Sequence, residues 1–301
     1  MHDSIYRGRF APSPTGPLHF GSLIAAVGSY LEARSRRGIW LVRMEDLDKP
    51  REAPGAADAI LRTLAAYGFE WDGQVTLQSR RAAAYNDALE RLQRQQAVFP
   101  CACTRREIAD SALSLTGEPV YPGTCRGGLP PGRQGRALRV RVNDAVIAFD
   151  DALQGRFEQS LALEVGDFVV RRGDGMLAYQ LAVVVDDAKQ GITDVVRGAD
   201  LLASTPRQIL LQRLLGVAAP RYLHLPVALS PGGEKLSKQT LAAPLETADA
   251  SAQLIRALRF LGQDPPAELA GADPREIWAW AVPNWRSDRI PRRRSLAEPQ
   301  G

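Results

Sequence analysis

Two stretches of the chain hold side chains suited to phosphate chemistry. The first, "GRFAPSPTGPLHFGS" from Gly8 to Ser22, leaves a short apolar-basic run through prolines and then sets His19 and Gly21 at the start of a periodic apolar segment. A helix that begins there presents backbone N–H groups without intrahelical partners, and anions bind such ends. Gly21 removes the side chain that would block a nucleotide's approach, His19 can donate to a phosphate oxygen without a fixed charge, and the prolines stiffen the entry. A second reading stays open: a capped helix, with Ser13 or Thr15 near its start and His19 half buried. The histidine alone does not decide between them. The second stretch, "GEKLSKQ", places Lys235, Ser237 and Lys238 after Gly232 and Gly233. Substitution at phosphorus is catalysed mainly by positioning and charge neutralisation, so a histidine on one side and lysines on the other suffice without a nucleophilic side chain. By itself a Lys-x-x-Lys loop is more often a solvated turn.

The third group is sulfur. Cys101 and Cys103 stand one residue apart and Cys125 follows, enough for three corners of a zinc tetrahedron but not the fourth. Ordinary reduced cysteines in a small insertion are the alternative.

The elements that position these groups read as β, α, β, α: a strand in "YRGRFAP", a helix over Leu23 to Arg36, a strand in "GIWLVRMED" and a helix over Ala56 to Tyr67. Such alternation predicts a parallel sheet covered by helices, with ligands at the carboxyl ends of the strands, here "APSPTG" and "MEDLD". From Cys101 to about Gly166 turns, prolines and short strands such as "ALRVRV" and "VIAFDD" mark an insertion. Alternation is expected to resume with "DFVVRR", a helical "YQLAVVVDDAKQ", a strand "ITDVVRG", a helix "TPRQILLQRLLG" and a strand "YLHLPVAL". Helices follow around Ala250 to Leu261 and Pro274 to Val282, and "RIPRRRSLAEPQG" reads as a frayed tail whose Arg292 to Arg294 are solvated. The expected division is 1–100 for the first half of a Rossmann-type catalytic domain, 101–165 for an inserted zinc-containing acceptor subdomain, 166–230 for the second half, and 231–301 for the lysine loop and a helical end. "GDGMLA", Gly173 to Ala178, mimics a dinucleotide fingerprint but reads better as an Asp-Gly hairpin turn.

With 301 residues and 45% hydrophobic content the chain can bury a large core. No apolar run reaches the roughly 18 residues of a membrane span and the start lacks a signal-peptide pattern, so a cytoplasmic protein with no membrane partner is expected. A net charge of +4 is compatible with RNA without requiring it. Three cysteines in a reducing compartment argue against a disulfide framework.

Taken together, "RFAPSPTGPLHFGS" and "GEKLSKQ" resemble the two signature sequences of class I aminoacyl-tRNA synthetases, and more narrowly the glutamyl branch. "RMEDLDKPR", "CAC" and "YQLAVVVDDAKQGITDVVRGADLLASTPRQ" are similar to its short members, the glutamyl-queuosine tRNA(Asp) synthetases; the resemblance runs from about Arg7 to about Leu241. It implies that Arg9, Ala11, Ser13, Glu45, Tyr179 and Arg197 surround L-glutamate. Arginine faces carboxylate and an acid faces an amine, which suits Arg9 and Arg197 to the first role and Glu45 to the second. It implies that His19, Gly21, Ser237 and Lys238 hold ATP, with His19 and Lys238 catalytic, and that Mg2+ accompanies the phosphates. It also implies Tyr121 as the fourth ligand of one structural Zn2+ held by Cys101, Cys103 and Cys125. The chain departs from the broader class in reading "HFGS" and "KLSKQ", which removes a second histidine from the phosphate site. The expected reaction is formation of glutamyl adenylate and transfer of glutamate to the queuosine base at the wobble position of tRNA(Asp), whose anticodon arm would enter the site of a monomer. The rival readings are a truncated glutamyl-tRNA synthetase that charges a 3′ end, a non-catalytic sensor and a dinucleotide oxidoreductase.

Overall fold

The computed structural model describes residues 5–109, 119–144, 146–230, 232 and 243–298. Lys235, Ser237 and Lys238 of the lysine loop lie outside the described residues.

The amino-terminal half runs β1 (Arg7–Phe10), α1 (Phe20–Arg34), β2 (Ile39–Met44), α2 (Ala56–Ala66), β3 (Thr76–Leu77) and α3 (Ala82–Arg94). β1, β2 and β3 pair parallel in that order. Then come β4 (Val98–Cys101), α4 (Arg105–Ala109), β5 (Ala137–Val140), β6 (Val146–Asp151), β7 (Gly155–Ser160), α5 (Leu161–Glu164) and β8 (Val169–Arg171). The chain returns through α6 (Tyr179–Lys189), β9 (Asp194–Gly198), α7 (Thr205–Leu215), β10 (Arg221–Leu225) and β11 (Val227–Leu229), and closes with α8 (Ala250–Phe260), α9 (Pro274–Asn284) and β12 (Ser295–Ala297).

β9 and β10 pair parallel over their whole length, β6 joins β10 parallel at Tyr222↔Asp151, and β7 returns antiparallel on β6. β1 lies against the start of β9, where the Thr193 amide donates to the Arg7 carbonyl at 3.0 Å. The parallel strands therefore point one way, and the residues just beyond Phe10, Met44, Gly198 and Leu225 share one rim, as expected for an α/β nucleotide-binding fold. α1 packs closely on this layer because Gly28 lacks a side chain: a Cβ there would sit 2.5 Å from Leu225 Cδ1. Behind α1, a box of Tyr30, Trp40, Phe69 and Trp278 ties β2 to α9, and Trp278 Nε1 donates to the Tyr67 carbonyl at 2.9 Å. α8 and α9 thus belong to the same apolar core as α1 and β2.

Three elements differ from the sequence reading. α1 starts at Phe20, three residues before the expected start: Phe20 is already in the core, while Gly21 and Ser22 face the cavity and interrupt the apolar pattern. "DFVVRR" does not re-enter the parallel layer: β8 pairs antiparallel with β5, and β5 with β4, in a separate three-stranded sheet. The strand of the inserted region that does join the parallel layer is β6. The tail is ordered as far as it is described, because β12 pairs parallel with β11 and Val227 N donates to the Arg294 carbonyl at 3.0 Å. "RRGDGML" is a hairpin turn: Gly175 has φ +88°, Arg172 N donates to Met176 O at 2.7 Å, and Arg171 bridges Leu177.

Candidate active site

The rim of the parallel layer opens into one cavity of about 590 Å³. Arg9, Ala11, Ser13, His19, Gly21, Glu45, Tyr179 and Arg197 all line it, so every expected glutamate residue and both described phosphate residues meet in one place. Each comes from a strand end or a helix start. Arg9 is on β1, Ala11 and Ser13 follow it, Glu45 follows β2, Tyr179 opens α6 and Arg197 is on β9.

His19 is the N-cap residue of α1 with extended backbone, no side chain caps the helix, and its first turn carries no acid. The helix start therefore offers its amide groups and the positive end of its dipole to the cavity. His19 itself is half buried.

The buried floor is built of charges that balance one another. Arg9 donates from Nε and Nη2 to the two carboxylate oxygens of Asp187 at 3.1 and 3.2 Å. Arg43, fully buried on β2, donates from Nη1 to Asp187 Oδ1 at 2.8 Å and to Gln190 Oε1 at 2.6 Å, and from Nη2 to Glu45 Oε1 at 3.4 Å. Asp186, also fully buried, takes Tyr85 OH at 2.8 Å, Gln78 Nε2 at 2.8 Å and the Arg81 guanidinium. Burial would raise the Asp187 pKa, but Arg9 and Arg43 more than offset it and hold the carboxyl below its ordinary value. At Glu45 the balance is reversed: burial wins over Arg43 and Arg9 and pushes the carboxyl up. A cation arriving beside Glu45 would favour its ionised form. Burial likewise raises the Tyr179 phenol, keeping it a neutral hydroxyl.

Arg43, Asp186 and Asp187 were absent from the sequence reading. Their signal was present, because an arginine inside "IWLVRM" and paired aspartates inside "AVVVDDAK" are charges in apolar elements, which fold only when partnered. The consequence for recognition is specific. The Nε/Nη2 edge of Arg9 is engaged by Asp187, so Nη1 is the group without a hydrogen-bond acceptor among the described residues. Arg197 is similarly held by His224, Thr205 and Tyr179. Each arginine thus offers one end, rather than its two-pronged edge, to a carboxylate in the cavity.

The sulfur cluster stands apart on β4 and the segment after it. The three thiol sulfurs of Cys101, Cys103 and Cys125 lie within 4.8 Å of one another, and Cys103 and Cys125 are 3.7 Å apart. Thiolates at about 2.3 Å from a tetrahedral zinc stand roughly 3.8 Å apart, so the spacing fits. The Tyr121 hydroxyl lies 3.4 Å from Cys101 Sγ and 3.9 Å from Cys103 Sγ. Arg139 donates from Nε to Cys101 Sγ at 3.2 Å, with its guanidinium 3.9 Å over the Tyr121 ring. Burial raises both Cys101 and Cys103. Hydrogen bonds from Tyr121 and Arg139 turn the Cys101 thiol downward, whereas neighbouring sulfurs help push Cys103 up to about 11. Such a cluster of thiols and a phenol suits a divalent cation. None of its four side chains lines the cavity.

The chain is similar to known proteins over nearly its whole length. Residues 6–270 match the family described as tRNA synthetases class I (E and Q), catalytic domain. The chain is 62% identical over 299 residues to a glutamyl-Q tRNA(Asp) synthetase of Dechloromonas aromatica, covering 99% of each. It is 60% identical over 291 residues to one from Chromobacterium violaceum, covering 97% of each. Among solved structures, a glutamate tRNA ligase from Elizabethkingia meningosepticum in complex with its amino acid shares the fold, with a TM-score of 0.78 at 24% identity over 98% of this chain and 67% of that one.

Proposed function

The chain belongs to the glutamyl and glutaminyl class I tRNA synthetase family, and from that premise we propose that it is a glutamyl-Q tRNA(Asp) synthetase: it activates glutamate with ATP and transfers it to queuosine of tRNA(Asp). The observation that carries the reading is the single cavity in which a helix start with His19 and Gly21 meets Arg9, Glu45, Tyr179 and Arg197. In the first step a glutamate α-carboxylate oxygen attacks the α-phosphorus of ATP, the bond to the β-phosphate breaks, and pyrophosphate leaves. Nη1 of Arg9 and of Arg197 would receive the substrate's carboxylates, and Glu45 its ammonium. Ala11 and Ser13 would line the amino-acid pocket and Tyr179 would donate its hydroxyl there. His19 and the amides around Gly21 would hold phosphate oxygens, and Ser237 and Lys238 would follow the charge moving onto pyrophosphate. Mg2+ held by the phosphates and water would neutralise part of that charge. In the second step a hydroxyl of the queuosine base attacks the adenylate carbonyl and AMP leaves.

Cys101, Cys103, Tyr121 and Cys125 would hold one Zn2+, giving the inserted sheet the bracing its short strands lack. The same segment would meet the anticodon arm of tRNA(Asp), with the protein acting as a monomer. Among the described residues no helix is long and apolar enough to cross a membrane.

Exchange of labelled pyrophosphate into ATP tests activation. Glutamate-dependent exchange is expected, weakened for glutamate in Arg9→Ala and slowed in Lys238→Ala. Transfer of labelled glutamate to tRNA(Asp) with and without queuosine tests the acceptor. Charging of unmodified tRNA(Glu) would overturn this choice, as would transfer that ignores the modified base.

A further inference from the structure

We infer that Asp151 and His224 are a positioning pair for Arg197, setting affinity for the substrate's carboxylate without touching substrate. The inference rests on the reading of Arg197 as a carboxylate ligand of glutamate.

The three residues form a row across adjacent parallel strands. Arg197 on β9 stands in register with His224 on β10, and β10 pairs with the end of β6 at Tyr222↔Asp151. His224 is wholly buried and Arg197 and Asp151 are nearly so, at 5% and 4% exposure. Asp151 Oδ1 accepts the backbone N–H groups of Leu153 and Gln154 at 3.0 and 2.8 Å, and both carboxylate oxygens receive His224 N, at 3.2 and 3.1 Å. Oδ2 lies 2.6 Å from His224 Nδ1, and on the far side of the ring Arg197 Nε stands 3.0 Å from His224 Nε2.

Donor and acceptor counting then fixes the proton. A guanidinium Nε always carries hydrogen, so Nε2 must be its acceptor, and an ionised Asp151 requires an N–H at Nδ1. Burial and the Arg197 charge lower the His224 pKa against the pull of Asp151, and the histidine stays neutral. The carboxylate is itself held below its ordinary range, since the His224 and backbone hydrogen bonds outweigh its burial. The backbone amides thus fix Asp151, Asp151 fixes the tautomer, and the lone pair at Nε2 prevents the guanidinium from turning. Nη2 is pinned by Thr205 Oγ1 at 2.8 Å. What remains is Nη1, which stands 3.5 Å from Tyr179 OH at the cavity wall. A carboxylate there meets a donor whose direction is set two strands away. The principle is that of outer-shell partners of a metal ligand, whose loss costs about 10- to 100-fold.

Asp151→Asn is the test. The amides of Leu153 and Gln154 keep the side-chain oxygen, so the NH2 faces Nδ1 and drives the proton to Nε2, where two donors then oppose each other. In pyrophosphate exchange KM for glutamate should rise about 10- to 100-fold, with kcat and KM for ATP nearly unchanged. The double variant Asp151→Asn, His224→Gln places an amide oxygen near the former Nε2 and should regain most of the glutamate affinity, which two independent structural losses would not do. The imidazole nitrogen spectrum of the labelled wild-type protein, with only three histidines to assign, should show His224 bare at Nε2. A wild-type proton on Nε2, or exchange in the wild type with KM for glutamate unaltered in Asp151→Asn, overturns the positioning role alone. Absence of glutamate-dependent exchange in the wild type overturns the functional reading together with it.

Discussion

The cavity floor and the sulfur cluster solve opposite electrostatic problems. In the floor, Arg9, Arg43 and Arg81 meet Asp186, Asp187 and Glu45, so each buried charge has a partner supplied by the chain itself. In the cluster, Cys101, Cys103, Cys125 and Tyr121 are all groups whose ionised form is an anion, with Arg139 bound to one of the sulfurs. Ionising one thiol there opposes ionising the next, as the divergent directions of Cys101 and Cys103 express. The first region is rigid before any ligand arrives. The second would gain its rigidity from an ion held among its sulfurs.

The contrast can be broken most forcefully at Asp187. Asp187→Ala leaves two buried guanidiniums without their shared acceptor and should cost about 3–5 kcal/mol of stability by denaturant unfolding, along with glutamate-dependent exchange. A loss below about 1 kcal/mol would mean that the floor is wetter than its burial implies. Cys125→Ser, or chelation, should come next. It should release one metal ion by mass spectrometry and raise amide exchange over 98–109 and 119–144, while exchange of pyrophosphate persists. Equal loss of that activity and of metal would join the two regions that the structure separates.

A smaller effect follows from pH. The lowered pKa of His224 means that the unfolded chain takes up a proton first, so this stability is complete above about 6.5 and declines as pH falls below it. Asp187 and Asp151, also lowered, add losses below about 4. Thermal unfolding should therefore shift downward between pH 7 and 5.5 in the wild type and less in His224→Gln. The smallest change is expected at Glu107, pushed down to about 2 by hydrogen bonds from Arg133 and Thr104 yet exposed. Glu107→Gln should leave Tm unchanged at physiological salt, since exposed pairs are screened.

How far the sequence disclosed the molecule depends on where each interaction is local. The signature around His19 could be read because the prolines, Gly21 and the helix they precede lie within a few residues of one another. The residues of the cavity rim followed from strand ends and from the family pattern. The floor's inner partners Arg43, Asp186 and Asp187 were not read, since the meaning of Arg43 depends on an aspartate 144 positions later. β12 escaped for the same reason: three residues beside an arginine run become a strand only because β11 leaves an edge for them. β8 misled because its apolar residues serve a small antiparallel sheet as well as they would serve a parallel one.

The Asp187 knot also bears on how the protein is made. It joins residues 178 positions apart through Arg9, and Asp151 meets His224 across 73. Contacts that close such long loops form late, after local helices and hairpins. A growing chain that has already built β1 and α1 therefore lacks the Asp187 carboxylate that grips Arg9 until α6 emerges from the ribosome. Substrate affinity therefore cannot arrive before α6 and β9 have been made, and bound glutamate then stabilises the whole fold rather than any one part of it.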